Sequence, residues 1–197
     1  MTSLETRSAR SQARREELLD ELVTLVLAEG FSAFTLDDLA RRLRCSKSTL
    51  YGLAASKEQL VVAVVKRFFQ RATAAVEERV AGSGDHRARI SAYLLAVAEQ
   101  LQPASATFFT DLAAFAPARE LYERNTRSAA ARVQQLVTEG VAAGTIRPVH
   151  ASFVGAAVAS VMGAIHRGDI TAATGLDDAA AYRELADLVV AGVAPRP

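Results

Sequence analysis

Apolar residues recur at helical spacing along most of the chain. From Glu16 to Glu29 the set Leu18, Leu19, Leu22, Val23, Leu25 and Val26 marks one face of an amphipathic helix, and Gly30 stops it as a left-handed C-cap. Phe31 and Phe34 follow as core residues. Thr35 then precedes Leu36, Leu39, Ala40 and Leu43, with Asp38 at the third helical position, which is the pattern of a short capped helix. After only Arg44 and Cys45, Ser46 opens a second short helix that buries Leu50 and Leu53. Ser56 opens a third, with Gln59 placed for a capping box. That third pattern runs through Leu60, Val64, Val65, Phe68, Phe69, Ala72 and Val76 to Val80 and meets Gly82-Ser83-Gly84. It predicts a rod of about 26 residues, near 39 Å at about 1.5 Å per residue.

Downstream the same periodicity predicts helices over His86–Gln102 and Ala104–Ala116, separated by Pro103, and another from Pro117 to about Ala142. Gly144-Thr145-Ile146-Arg147-Pro148 is a turn. Helices over Val149–Arg167 and Asp177–Val193 close the chain, joined by a Gly-rich loop from Gly168 to Gly175. Alanine is heavily used, Trp is absent and Pro is sparse, so the fold class is all-α. The layout is a flexible basic arm at 1–15, a unit of short helices at 16–55, and a longer helical unit at 56–197. The arm carries Arg7, Arg10, Arg14 and Arg15 against Glu5 and reads equally as a solvated tail or a DNA contact.

Composition sharpens this picture only in places. The net charge of +1 says little, but residues 1–71 hold 12 Lys+Arg against 9 Asp+Glu and residues 72–197 hold 11 against 13. The excess of cations thus sits with the helix-turn-helix. A lone Cys45 excludes an intramolecular disulfide, and His86, His150 and His166 are scattered, so no metal site or cofactor is expected. Cys45 reads as a small turn residue, with thiolate-based redox sensing the alternative. No phosphate-cradling Gly loop, nucleophile elbow or His-Glu-x-x-His is present, so the chain does not read as an enzyme. The first thirty residues lack a secretory apolar segment, and the apolar stretch at Ala151–Ile165 is too short for a membrane span, so a cytoplasmic location is expected.

Two short helices joined by so tight a turn form a unit whose second helix can lie in a DNA major groove. Arg41, Arg42, Arg44, Lys47 and Lys57 fall between Leu39 and Lys57 with no acid among them. The exposed side of the second helix offers Ser46, Lys47, Ser48, Thr49 and Tyr51, suited to phosphate oxygens and base edges. Lys57 lies in the first turn of the long helix, where free N–H groups also favour phosphate.

These residues resemble a family. Thr35-Leu36-Asp37-Asp38-Leu39-Ala40, Cys45-Ser46-Lys47-Ser48-Thr49-Leu50-Tyr51 and Ser56-Lys57-Glu58-Gln59-Leu60 are similar to the DNA-binding signature of TetR-type transcriptional regulators, over about residues 12 to 70. The Gly-x-Ile-Arg-Pro turn resembles a connection found in many of them. Two positions depart from the pattern. Arg44 stands where the turn usually carries Gly, at a cost of roughly 1 kcal/mol if the backbone there is left-handed. Ala54 replaces an aromatic, which predicts looser packing at that corner. The expected DNA contacts are Thr35, Arg44, Ser46, Lys47, Ser48, Thr49, Tyr51 and Lys57.

The last two helices predict self-association. Ala151–Ile165 is small or apolar nearly all round, and Leu185, Leu188, Val189 and Val193 stripe the final helix. Phe153, Ala156, Ala159, Ser160, Gly163, Leu185, Leu188 and Val189 are the expected faces of a two-fold four-helix interface; burial within one subunit is the alternative. A homodimer would read a near-palindromic operator in double-stranded DNA. The middle helices could enclose an effector pocket from Tyr93, Phe108, Phe109, Asp111, Phe115, Tyr122, Asn125, Met162 and His166. The resemblance implies a repressor released by a small ligand that prefers the DNA-incompetent state, with a lipophilic ligand suited to so apolar a lining. The competing expectation is a helical ligand- or partner-binding protein whose N-terminal hairpin is only a scaffold.

Overall fold

The computed structural model describes residues 3–195, with side chains from Gln12 onward. Among the described residues the structure is all helical: α1 Ser3–Glu29, α2 Leu36–Arg42, α3 Lys47–Leu53, α4 Lys57–Ala81, α5 His86–Leu101, α6 Ala106–Ala114, α7 Ala116–Ala142, α8 Ala151–His166, α9 Asp169–Thr174 and α10 Asp178–Val193. Local sequence accounts for the boundaries. Thr35 caps α2 and forms a reciprocal capping box with Asp38, while Ser46, Asp85, Ser105 and Asp177 cap α3, α5, α6 and α10 through their side chains.

Four boundaries differ from the sequence expectation. The stretch 1–15, expected as an arm, is helical from Ser3 on, because it contains neither Gly nor Pro and carries four Arg and two Ala, all good helix formers; its side chains before Gln12 lie outside the described residues. Ser105 takes the Phe108 N–H, so α6 begins at Ala106 rather than Ala104. The loop expected over Gly168–Gly175 holds the short helix α9, bounded by these two glycines at φ +76° and +75°. His150, which carries no usual capping oxygen, accepts the Phe153 N–H on Nδ1 and caps α8.

The chain divides into two compact units. One comprises the residues up to Gln70 with Pro103–Leu121; the other comprises Arg71–Gln102 with the chain from Tyr122 onward. In the first, Leu18, Leu22, Val23 and Val26 of α1 are buried, as are Leu39, Leu50, Val64 and Phe108 of α2, α3, α4 and α6. Phe108 meets Phe68 edge to face, with ring centroids 6.2 Å apart.

A buried carboxylate ties α6 to the turn after α1. Asp111 Oδ2 accepts the N–H groups of Phe31 at 2.6 Å and Ser32 at 2.8 Å, and Oδ1 accepts the Ser32 hydroxyl. Gly30 is required there twice over. Its φ is +78°, and a Cβ would stand 2.5 Å from Asp111 Oδ2.

In the second unit Ile90, Leu94, Val133, Val137, Val158 and Tyr182 belong to one buried cluster, and α10 packs on α5 and α8. Gly155 lets α8 approach α7 closely, since a Cβ would lie 3.0 Å from the Ala130 carbonyl. Part of the small-residue surface of α8 is therefore used within the subunit. Among the described residues no helix is long and apolar enough to cross a membrane.

Burial raises the affinity of Asp111 for a proton, yet the Ser32 and Phe31 donors and the charge of Lys57 outweigh it and hold the carboxyl below the ordinary aspartate value. The folded state therefore binds the Asp111 proton less readily than the unfolded chain. Its stabilisation is complete above the unfolded carboxyl pKa, about 4, and fades as pH falls below it. Asp111→Ala should lower stability by about 2–4 kcal/mol at neutral pH, because three donors lose an ionised acceptor. In thermal melts followed by circular dichroism, the gap between the two proteins should narrow below about pH 4.

Candidate DNA-reading face and regulatory unit

The DNA-reading candidate is built from two seven-residue helices and the turn between them. Thr35 accepts the Asp38 N–H, and the Asp38 carboxylate returns to the Thr35 N–H and hydroxyl. Those bonds, led by the Thr35 hydroxyl, hold the Asp38 carboxyl below its usual value. Beyond α2 the chain turns at Arg44, whose φ is +49°, while the Cys45 N–H returns to the Ala40 carbonyl at 3.0 Å. The left-handed position anticipated at Arg44 is thus present, with a Cβ where Gly is better suited.

Ser46 accepts the Thr49 N–H at 3.1 Å, and its hydroxyl also lies 2.7 Å from Ser48 Oγ and 2.8 Å from Thr49 Oγ1. One oxygen therefore caps α3 and orients the two hydroxyls beside it. Leu50 is buried, whereas Ser46, Lys47, Ser48 and Thr49 are exposed and Tyr51 is 52% exposed. The residues expected to face DNA are thus solvent-accessible along one side of α3. Thr35 and Arg44 are exposed as well.

The cations are engaged by neighbours that the sequence window did not contain. Lys47 Nζ lies 2.6 Å from Asp37 Oδ2, Arg41 pairs with Asp38 at 3.3 Å, and Arg42 makes a two-pronged pair with Glu29 at 2.7 and 2.9 Å. Lys57 donates to the Ser32 carbonyl at 2.9 Å, so a phosphate reaching it competes with that oxygen. At the next helix start Gln59 donates its N–H to Ser56 Oγ, but its side chain accepts from Ala55 rather than closing a box on Ser56. Beside Ala54 an apolar groove of about 590 Å³ opens between Leu53, Val62, Ala63, Phe115 and Pro117, in keeping with the missing aromatic. Burial pushes the Cys45 thiol up, against the thiolate that redox sensing needs.

The residues expected to line an effector pocket fall in both units. Phe108, Phe109, Asp111 and Phe115 lie in the first, where Phe109 stacks edge to face on Phe108 and Phe115 on Phe31. Both Asp111 oxygens are occupied by protein donors. Tyr93, Tyr122, Asn125, Met162 and His166 lie in the second. There His166 Nε2 is 2.9 Å from the Tyr182 hydroxyl, and its ring meets Tyr122 edge to face at 5.2 Å. Tyr93 and Met162 are buried in the same unit, and Asn125 is half-buried. Burial pushes His166 down to about 4 and Tyr93 up to about 12, so both are neutral at physiological pH. Tyr182 of α10, which the sequence analysis did not single out, is fully buried beside His166.

Of the residues expected at a dimer interface, Leu185 and Val189 are buried within the subunit, while Phe153 and Leu188 are 71% and 73% exposed. Ala156 and Ser160 are exposed, and Ala159 and Gly163 half-buried. Phe153, Val154, Val161, Leu185, Leu188 and Val189 line an apolar groove of about 410 Å³ between α8 and α10. Among the described residues no three His, Cys, Asp or Glu side chains are grouped to hold a metal ion.

A capped pair of seven-residue helices presenting a polar, cationic face, within an all-helical chain, defines a helix-turn-helix protein. Residues 18–64 match the family described as bacterial regulatory proteins, tetR family. The uncharacterized HTH-type transcriptional regulator YvaF of Bacillus subtilis (strain 168) is 49% identical over 53 residues, and the matched stretch spans 27% of this chain and 27% of that relative. Three solved structures share the fold. A TetR transcription regulator from Haloarcula marismortui has a TM-score of 0.76 at 14% identity, over 93% of this chain and 100% of that one. A transcriptional regulator from Saccharomonospora viridis in complex with choline has 0.75 at 17%, over 94% and 100%. A TetR/AcrR regulator from Thermobifida fusca has 0.68 at 24%, over 91% and 98%. Residues 18–64 thus resemble the tetR-family DNA-binding module, and the chain shares the fold of solved TetR-type regulators. Members of this family are transcriptional regulators, not enzymes.

Arg44→Gly should stabilise the protein by up to about 1 kcal/mol, since glycine relieves the left-handed strain while adding some entropy to the unfolded chain. A rise in the urea midpoint with an unchanged slope would register it; an unchanged midpoint would mean that the turn carries no strain at Arg44.

Proposed function

We propose that the protein is a dimeric DNA-binding transcriptional regulator, a repressor that a small lipophilic ligand releases from a near-palindromic operator. The observation that carries this reading is the accessible, pre-capped face of α3, where Lys47, Ser48, Thr49 and Tyr51 stand together in solvent beside Arg41, Arg42 and Arg44. Short hydroxyls and one lysine on a helix held from behind by Leu50 suit base edges and phosphate oxygens in a major groove. Work on DNA is consistent with the cytoplasmic location expected from the sequence.

Dimerisation is supported by the apolar face between α8 and α10. Leaving Phe153 and Leu188 in water is unfavourable, and covering them with the same face of a second copy gives the two-fold relation that a near-palindrome needs. The four-helix contact would draw on Phe153, Ala156, Ala159, Ser160, Gly163 and Leu188, with Leu185 and Val189 supporting it from the subunit core.

Small-molecule control in general is supported by the choline-bound Saccharomonospora relative, and a lipophilic ligand for this chain by the neutral ring cluster of Tyr122, His166 and Tyr182. A half-buried imidazole held neutral gives an apolar wall with one polar edge, which suits an uncharged, lipophilic molecule. Such a ligand acts by preferring the state that cannot grip both half-sites. Helix α4, which contributes residues to both units, is the element through which that preference would reach α3.

Selecting bound genomic fragments with purified protein and titrating them across a salt series tests the DNA-binding reading directly. Lys47→Gln should weaken binding on all sequences and flatten the slope of log K against log salt by about 0.9, the loss of one phosphate contact. No retention of DNA at low salt would overturn the proposal. Leu188→Glu should shift the protein to monomers in analytical ultracentrifugation at micromolar concentration and abolish tight binding to a two-half-site duplex. Unchanged sedimentation in that variant would remove this face from the interface.

A further inference from the structure

The five cations of the helix-turn-helix segment sit in a stretch with no acid, yet the fold brings acids to three of them. Glu29 comes from the end of α1 to Arg42, Asp38 from within α2 to Arg41, and Asp37 from α2 across to Lys47 at the start of α3. Two of these acids have further duties. Asp38 completes the Thr35 capping box, and Glu29 grips Arg42 with both oxygens while that guanidinium lies over the Phe34 ring. Asp37 lies outside the capping box, and its carboxylate meets the Lys47 ammonium at 2.6 Å with both side chains more than half exposed.

Building on the DNA-binding reading, we propose that Asp37 is a positioning residue that tunes affinity: it holds Lys47 as an internal substitute for a DNA phosphate and must be displaced when the phosphate arrives. An exposed ion pair is worth little in water, so the exchange is possible. It is also not free. Each phosphate that a lysine neutralises releases a condensed counterion, which is the main driving force of sequence-independent binding. When Lys47 leaves Asp37 for a phosphate, the bare carboxylate next to the polyanion takes up a cation from solution and cancels part of that release. Asp37 thereby lowers the affinity for DNA of any sequence and makes the binding less sensitive to salt. It also keeps the Lys47 side chain ordered at the first position of α3, in front of the groove it would enter.

The test is a double-mutant cycle on a mixed-sequence duplex, titrated by fluorescence anisotropy from roughly 50 to 200 mM salt, the range over which phosphate contacts show most clearly. Wild type, Asp37→Asn, Lys47→Gln and the double variant are compared, with Asp37→Ser as a second substitution compatible with a helix start. Asp37→Asn should tighten binding roughly two- to five-fold at the low-salt end. It should also steepen the slope of log K against log salt by up to about 0.9. In the Lys47→Gln background the same change should have little effect, because no lysine remains to be released. A purely structural role for Asp37 would shift the melting temperature and leave the salt slope unchanged. Equal tightening with and without Lys47 would overturn the proposal, since Asp37 would then act only as a general negative charge. Wild-type affinity and slope in Asp37→Asn would overturn it as well, while leaving the DNA-binding reading intact. Absence of binding by the wild type would instead overturn that reading, and this inference with it.

Discussion

Helices of seven residues are too short to persist alone in water, because nucleating a helix costs more than so few hydrogen bonds return. Helices α2 and α3 depend on being capped at the start and buried on one side. Thr35 and Ser46 each supply an oxygen to a free backbone N–H, and Leu39, Ala40 and Leu50 are removed from water on the inner face. Both requirements fix α3 with its polar side outward. The strain taken at Arg44, in a left-handed turn position, is the local cost of joining the two helices so closely.

The first unit is stitched together by a carboxylate far away in sequence. Asp111 gathers the donors of Phe31 and Ser32, Ser105 donates to the Leu27 carbonyl, and Lys57 reaches the same turn through the Ser32 carbonyl. The result joins α1, α4 and α6 around the turn that leads into α2. The Asp111 side chain reads in sequence as a polar pocket contact; in the fold its oxygens are committed to this turn.

In the second unit the balance of small and large residues decides what is buried. Gly155 admits α7, and Leu185 and Val189 turn inward, leaving Phe153 and Leu188 as large apolar side chains in solvent. His166 is stabilised as a neutral ring by burial against two tyrosines, one of which lies in the last helix. Exposed apolar side chains and a half-buried, uncharged polar cluster are the physical basis of the dimer and effector readings.

The sequence by itself determined the helices, their order and most of their starts, because periodicity and capping are local: Thr35 with Asp38, Ser46 with Thr49, and Gly30 with its left-handed cap all act within four residues. It also determined which side chains of α3 point outward, since Leu50 fixes the inner face. The α9 segment and the helical 3–15 stretch escaped because glycine and charge were read as loop signals, although the residues between favour a helix. Which distant charges meet was decided only by the tertiary structure. Asp38 meets Arg41 by local spacing within α2, but Asp37 reaches Lys47 and Glu29 reaches Arg42 only because α1, α2 and α3 are packed together. The division of the expected pocket residues between two units, and the inward turn of Leu185 beside the outward turn of Leu188, are likewise settled by packing. Pairing of distant side chains depends on where helices cross in space, and the spacing of residues along one helix carries no information about that.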